Sequence, residues 1–373
     1  MIFPTDNLRI ESTRVVLPPS FYHKELPLTE TASATVCRAR NQICEILHGR
    51  DDYRLLVLVG PCSIHDTAAA REYGRRLRVA MDQLAKGLLI VMRVYFDKPR
   101  TTVGWKGLIN DPYMDQTYQI NDGLRMARHL LLDLAEMGVP TGLEFLDVMT
   151  PQYITDLVSW GSIGARTTQS QIHREMASGL SCPMGFKNGT SGDVQVAIEA
   201  IHAAAHPHCF VAYNKDGQSS IFGTRGNPDG HIILRGGGNT VNYTPECVSH
   251  VCSQLEDSGL PARIMIDCSH GNSNKDHKKQ PEVCRNVAGQ IVTGDHRIFG
   301  VMLESHLVAG AQRLVPGQKL VYGQSITDSC IGWDETLLLL QELSEAVRAR
   351  RTVRQSSSLI WGTAASIDPR PIR

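Results

Sequence analysis

Eight short apolar runs recur through the middle of the chain, at 55–60, 88–96, 141–145, 162–165, 184–186, 231–234, 263–266 and 298–303, and they read as buried strands. The segments between them carry helix signals. Asp66 is placed to cap a helix through Ala85, and a helix over 122–137 stops before Gly138. Thr150-Pro151 and Thr244-Pro245 each set a capping hydroxyl before a proline at the first helical position. A final helix is expected over 333–351, with basic residues in its last turn as the macrodipole prefers. Strands alternating with helices favour a parallel sheet, and eight such units suggest an α/β fold of the closed (β/α)₈, TIM-barrel type. A doubly wound open sheet is the alternative.

The barrel is expected over 51–351, and three segments are additions to its minimal form. Residues 1–50 form an amino-terminal extension whose 29–48 stretch looks like a helix closed by Gly49. Residues 210–230 place a turn at Asp216-Gly217 between short β-like runs, a hairpin inserted before the sixth barrel strand. Residues 352–373, rich in serine and proline, read as a loose tail.

Composition narrows the function classes. The 373 residues carry 38 Lys+Arg against 38 Asp+Glu, with 42% hydrophobic and 20% charged residues, as in an ordinary soluble enzyme. A net charge of zero argues against bulk nucleic-acid or membrane-surface binding, so any cationic site must be local. The first residues lack the pattern of a signal peptide, and no apolar run approaches a membrane span. Ten cysteines without framework spacing read as reduced thiols of a cytoplasmic protein.

The chemistry-bearing residues cluster where the runs end. Cys62, His270, Glu304 and Asp328 each follow one apolar run, and at a barrel mouth they would form a site for one divalent transition metal. A lone cysteine is more often a buried thiol, but four ligand types at four strand ends shift the reading toward metal. Lone cations share the same ends: Arg93 with Lys98, Arg166, Lys187, and Arg235 before Gly236-Gly237-Gly238. Arg100 and Thr101 continue the first of these into a loop, where a guanidinium fork and a hydroxyl suit phosphate oxygens. A metal beside so many cations implies a small, highly anionic substrate.

At these residues the chain resembles a known family. Gly-Pro-Cys-Ser-Ile-His-Asp at 60–66, Arg-Val-Tyr-Phe-Asp-Lys-Pro-Arg-Thr-Thr at 93–102, Gly-Ala-Arg-Thr-Thr at 164–168, Gly-Phe-Lys-Asn-Gly-Thr at 185–190, Ile-Asp-Cys-Ser-His-Gly-Asn-Ser at 266–273 and Ser-Ile-Thr-Asp-Ser-Cys-Ile-Gly-Trp at 325–333 resemble type I 3-deoxy-D-arabino-heptulosonate-7-phosphate (DAHP) synthases of the feedback-regulated bacterial and fungal class. The likeness runs in register from about 8 to 351. It implies condensation of phosphoenolpyruvate with erythrose 4-phosphate, the first step of the shikimate pathway.

The resemblance also implies residue roles. Cys62, His270, Glu304 and Asp328 hold one divalent ion (Mn²⁺, Fe²⁺, Co²⁺ or similar), and Lys98, Cys62 and His270 count as catalytic. Phosphoenolpyruvate is held by Arg93, Lys98, Arg166, Lys187 and Arg235, and erythrose 4-phosphate by Lys98, Arg100 and Thr101. Lys98 or a water on the metal supplies the proton for the forming alkoxide. An aromatic amino acid effector is expected among Ile10, Asp147, Val148, Pro151, Gln152, Met176, Leu180, Ser181, Phe210 and Phe222, in a homodimer or homotetramer. Departures from the family pattern, at Phe222 and the 214–216 turn, fall in this regulatory region.

Two other functions compete. The related synthase acting on arabinose 5-phosphate shares the phosphoenolpyruvate site but has Lys-Ala-Asn-Arg-Ser-Ser where this chain has Lys98-Pro99-Arg100-Thr101. A metal-dependent barrel hydrolase needs a His-x-His near the first strand, and the one such pair here is His206-Pro207-His208.

Overall fold

Eight parallel strands close on themselves, in a computed structural model that describes residues 3–99, 104–315 and 317–362, the stretch 354–362 by backbone alone. The first five are β1 (Leu55–Gly60), β2 (Leu88–Arg93), β3 (Thr141–Glu144), β4 (Trp160–Ile163) and β5 (Met184–Lys187). An antiparallel hairpin, β6 (Cys209–Tyr213) with β7 (Ser219–Gly223), then interrupts the series. The barrel resumes with β8 (Gly230–Leu234), β9 (Ile264–Asp267) and β10 (Ile298–Glu304). Pairing of β1 with β10, from Leu56↔Gly300 to Gly60↔Glu304, closes the ring and excludes the open sheet.

The strands are apolar throughout because both faces are buried. Leu55, Val57 and Val59 of β1 pack outward under the helices. Leu56 and Leu58 point inward with Leu89, Val91, Trp160, Ile233, Met265, Phe299 and Met302. Helix α1 (Pro19–Glu25) precedes α2 (Glu30–Leu47), which Thr29 caps through Ala32 N and which Gly49 ends at φ +70°. Ile43, Ile46 and Leu47 of α2 join the interior cluster, so the amino-terminal extension supplies part of the barrel core.

The outer ring is α3 (Thr67–Leu84), α4 (Ile120–Glu136), α5 (Pro151–Ile154), α6 (Gln171–Gly179), α7 (Gln195–Ala205), α8 (Pro245–Asp257), α9 (Gln280–Val292) and α10 (Trp333–Gly362). Asp66 accepts from Ala68 N and Ala69 N, and Thr244 accepts from Cys247 N, as their sequence positions lead one to expect. A two-stranded pair, β11 (Val308–Ala311) with β12 (Gln324–Ser325), follows β10. Among the described residues no helix is long and apolar enough to cross a membrane.

Three local expectations differ from the structure. Thr150 makes no capping bond, because Asp147 already accepts from Met149 N, Thr150 N and the Thr150 hydroxyl. The second run leaves the barrel after Arg93: Tyr95 O accepts from Ile64 N, and Phe96 O from Leu108 N. The last helix passes Arg351 and continues to Gly362, the last described residue, since no glycine or proline interrupts the stretch before it.

Candidate active site

The carboxyl end of the barrel gathers the metal-type donors. β1 ends in a Gly-Pro turn that buries Cys62, and the β1–β10 register sets Gly60 beside Glu304. Asp328 arrives from the segment after β12. Donor atoms of Cys62, Glu304 and Asp328 all lie within 4.8 Å of one another. His270 stands at the edge of this trio, its Nε2 3.7 Å from Glu304 Oε1. It occupies the left-handed region at φ +52°, a strained conformation for a side-chain-bearing residue. Its Nδ1 faces the Asp267 carboxylate at 2.8 Å, which leaves Nε2 for the trio.

Glu304 is fixed through its backbone. Gln280 accepts from Glu304 N at 2.9 Å and donates to Glu304 O at 3.2 Å. Burial, with the Glu304 charge adding to it, pushes the Cys62 thiol up to about 12. Burial also raises the Asp328 carboxyl, but Lys98 and His270 outweigh it and hold Asp328 at about 2. The Lys98 ammonium lies 3.4 Å from Asp328 and 3.8 Å from Glu304. Although burial opposes its charge, Cys62 and the two carboxylates keep it protonated well above the ordinary lysine range. Two carboxylates, a buried thiol and an imidazole with a free nitrogen suit a borderline divalent cation.

A cavity of about 280 Å³ opens beside these donors, and its lining includes Lys98, Glu144, Arg166, Lys187, Arg235 and His270. Lys187 pairs with Glu144 at 2.7 Å and stands 3.9 Å from Asp267. Burial raises the Glu144 carboxyl, yet Lys187 pulls it down to about 2. Arg93 is fully buried, 3.0 Å from Glu304 and over the Tyr95 ring. Its Nε and Nη1 have no hydrogen-bond partner among the described residues. Two buried guanidinium nitrogens without an acceptor are what an anionic ligand would satisfy. Arg100 and Thr101 lie outside the described residues.

Some of the residues expected to bind an effector meet at the hairpin. Phe210 and Phe222 face each other across it, ring centroids 6.1 Å apart. Ser178 of α6 meets Thr224 at 2.7 Å, which ties the hairpin base to the segment with Met176, Leu180 and Ser181. At the hairpin tip Lys215 Nζ donates to Gln152 O, next to Pro151. The Asp147 carboxylate is committed to the 149–150 turn beside Val148, and Ile10 is 57% exposed. His206 and His208 lie between α7 and the hairpin, where Nδ1 of His206 pairs with His202 O and Nε2 of His208 with Ala203 O. That removes the pair a barrel hydrolase requires.

Three residues at the site escaped the sequence reading. Glu144 and Asp267 are the last residues of β3 and β9, and a carboxylate closing an apolar run was the available signal. Lys275 lines the cavity from the His270 loop, where Asn274 and Lys275 also have positive φ. No local pattern marks it.

Comparison with known proteins agrees with this geometry. Residues 26–341 match the family described as the DAHP synthetase I family. The chain is 58% identical over 351 residues to the Phe-sensitive phospho-2-dehydro-3-deoxyheptonate aldolase of Escherichia coli (strain K12), covering 94% of this chain and 100% of that one. It is 51% identical over 346 residues to the Trp-sensitive protein of Escherichia coli O157:H7, covering 93% and 99% respectively. The structure of phospho-2-dehydro-3-deoxyheptonate aldolase from Francisella tularensis superposes with a TM-score of 0.90 at 51% identity, over 92% of this chain and 99% of that one.

Proposed function

Because this chain belongs to the DAHP synthetase I family, we propose that the cavity at its strand ends is where it condenses phosphoenolpyruvate with erythrose 4-phosphate. The reaction also takes up water and gives 3-deoxy-D-arabino-heptulosonate 7-phosphate and phosphate, the first step of the shikimate pathway. The observation that carries the assignment of the site is the trio Cys62, Glu304 and Asp328 beside a cavity lined by Arg166, Lys187 and Arg235.

Arg166, Lys187 and Arg235, with the two unpaired nitrogens of Arg93, neutralise the phosphate and carboxylate of phosphoenolpyruvate. Arg100 and Thr101 take the phosphate of erythrose 4-phosphate. Cys62, His270, Glu304 and Asp328 would hold a divalent ion, Mn²⁺, Fe²⁺ or Co²⁺ by this donor set, which when bound would supply Lewis acidity for the aldehyde. The enol carbon then attacks the aldehyde carbon, and Lys98, held protonated at the edge of the trio, gives its proton to the forming alkoxide. Water adds to the positively charged second carbon and passes a proton back to the Lys98 amine. The adduct then breaks its C–O bond to phosphate as the hydroxyl oxygen becomes the ketone, and the hydroxyl proton leaves with the phosphate.

We further assign feedback inhibition by an aromatic amino acid to the hairpin face, supported by the paired Phe210 and Phe222. The relatives' names, Phe-sensitive and Trp-sensitive, are consistent with that class of effector. Val211 and Ile221, 75% and 78% exposed and paired across the hairpin, support assembly into a dimer or tetramer. Ten free cysteines support a reducing, cytoplasmic setting.

Phosphate release tests the substrate assignment. Phosphoenolpyruvate with erythrose 4-phosphate should yield phosphate, and arabinose 5-phosphate should not replace it. Equal release with arabinose 5-phosphate, or release with no aldose, would reject it.

A further inference from the structure

Strand β8 stops pairing with both neighbours at Leu234, yet the next residue, Arg235, must be aimed into the cavity. The backbone groups of Arg235 and Gly236 therefore need partners from outside the sheet. Three asparagines supply nearly all of them. Asn188 Oδ1 accepts from Arg235 N at 2.8 Å, and Asn188 Nδ2 donates to Gly236 O at 3.1 Å. Asn242 Oδ1 accepts from Gly236 N at 2.8 Å, and the backbone N–H of Asn272 donates to Arg235 O at 3.2 Å.

The three amides are also joined to one another. Asn242 Nδ2 donates to Asn188 Oδ1 at 3.2 Å, and Asn242 N donates to Asn272 Oδ1 at 2.8 Å. Asn272 Nδ2 donates to Leu234 O at 3.1 Å and to Asp267 O at 2.9 Å. The chain thus runs from Asn188, next to Lys187 on β5, to the end of β9 that carries Asp267 and the His270 turn. Asn188 is 0% and Asn272 3% exposed, so their amides are shielded from bulk water, while Asn242 is half-buried at the edge of the network. Gly236 sits at φ +69°, and a Cβ there would come within 2.6 Å of Asn272 N, so the clamp closes on bare backbone. Among the described residues the Arg235 side chain makes one hydrogen bond, Nη1 to its neighbour Gly236 O at 3.2 Å. Its direction follows from the backbone the asparagines hold.

We propose that Asn188, Asn242 and Asn272 are positioning residues that aim Arg235 at phosphoenolpyruvate and fix it relative to the His270 turn. This rests on Arg235 being a phosphoenolpyruvate cation, the reading given above. An asparagine supports such a chain because its amide both donates and accepts in one plane, and aspartate or leucine of similar size cannot do both.

The test is a double-mutant cycle read by calorimetric Kd for phosphoenolpyruvate, with Mn²⁺-loaded enzyme and no second substrate. Asn188→Ala should weaken binding about tenfold, as expected for a misaimed charged contact. In an Arg235→Ala background the same substitution should change Kd less than about twofold, because the group it aims is gone. Asn242→Ala serves the same cycle where Asn188→Ala does not fold, with thermal melting recorded for each variant. If Arg235→Ala weakens binding but the asparagine variants only lower Tm, or if the two effects multiply, the positioning role is overturned while the site reading stands. If Arg235→Ala leaves Kd unchanged, the reading of Arg235 itself is overturned, and this proposal with it.

Discussion

Asp267→Asn is the most informative single substitution at the metal-type donors. Asp267 is fully buried, and its Oδ1 accepts from Ser269 N at 2.9 Å and from the Ser269 hydroxyl at 2.6 Å. Its Oδ2 faces His270 Nδ1 at 2.8 Å. Burial would raise this carboxyl, but His270 and Lys187 hold it far below the usual carboxylate range, so it is a fixed negative charge. That charge keeps the proton on Nδ1 and leaves Nε2 as the ligand. Asparagine retains the shape and the Ser269 bonds but removes the charge facing the imidazole, leaving Nδ1 only the Ser269 hydroxyl at 2.7 Å. Removing such an outer partner costs about 10–100-fold in metal affinity, or about 1.4–2.7 kcal/mol. Lys187 keeps Glu144 at 2.7 Å, so the loss should fall on His270 and spare the anion site. Equilibrium titration of chelated protein with Mn²⁺, following the free ion by electron paramagnetic resonance, reads the change directly. An unaltered Mn²⁺ affinity in a variant whose Tm in chelator has fallen would refute the reasoning, because Asp267 would then be a folding residue only.

Further outcomes follow from the same geometry. Exhaustive chelation should abolish turnover, and Mn²⁺, Fe²⁺ or Co²⁺ should restore it; full activity in chelator would remove the metal from the account. Turnover measured with phenylalanine, tyrosine and tryptophan in turn should fall with at least one at millimolar concentration, and Phe222→Ala should blunt that response while leaving uninhibited turnover unchanged. Burial holds His231, between Trp160 and Phe299, neutral and lowers its pKa from 6.5 to about 4. The unfolded chain therefore binds this proton first. The associated stability is complete above pH 6.5 and falls as the pH drops toward 4, by up to about 3 kcal/mol. Urea midpoints at pH 7 and pH 4.5 should converge in His231→Gln relative to the parent, and an equal acid loss in both proteins would contradict the assignment.

Much of the barrel was legible because each strand is a short apolar run, and the run ends marked the catalytic face without knowledge of pairing. Cys62, Lys187 and Arg235 could be placed that way. Arg93 ends an apolar run just as Lys187 does, but only the fold shows that its guanidinium is pinned against Glu304 while Lys187 lines the cavity. The role of α2 was hidden for a similar reason, since amphipathic spacing announces a helix but not that Ile43, Ile46 and Leu47 close the barrel interior. Lys275 depends on left-handed backbone at Asn274 and Lys275, which residue type alone does not encode. The cap expected of Thr150 failed because its hydroxyl is turned back to the carboxylate of Asp147, three residues earlier. Long-range register and local competition are the two things a single sequence leaves open.

At this site we propose that water adds to a carbon of phosphoenolpyruvate and that phosphate leaves with C–O cleavage, in contrast to hydrolysis at phosphorus. Phosphoenolpyruvate labelled with ¹⁸O in the bridging C–O–P position, turned over with erythrose 4-phosphate, separates the two by the isotope shift in ³¹P nuclear magnetic resonance. The account predicts that the released phosphate carries the label. Unlabelled phosphate, with the ¹⁸O retained in the organic product, would contradict it.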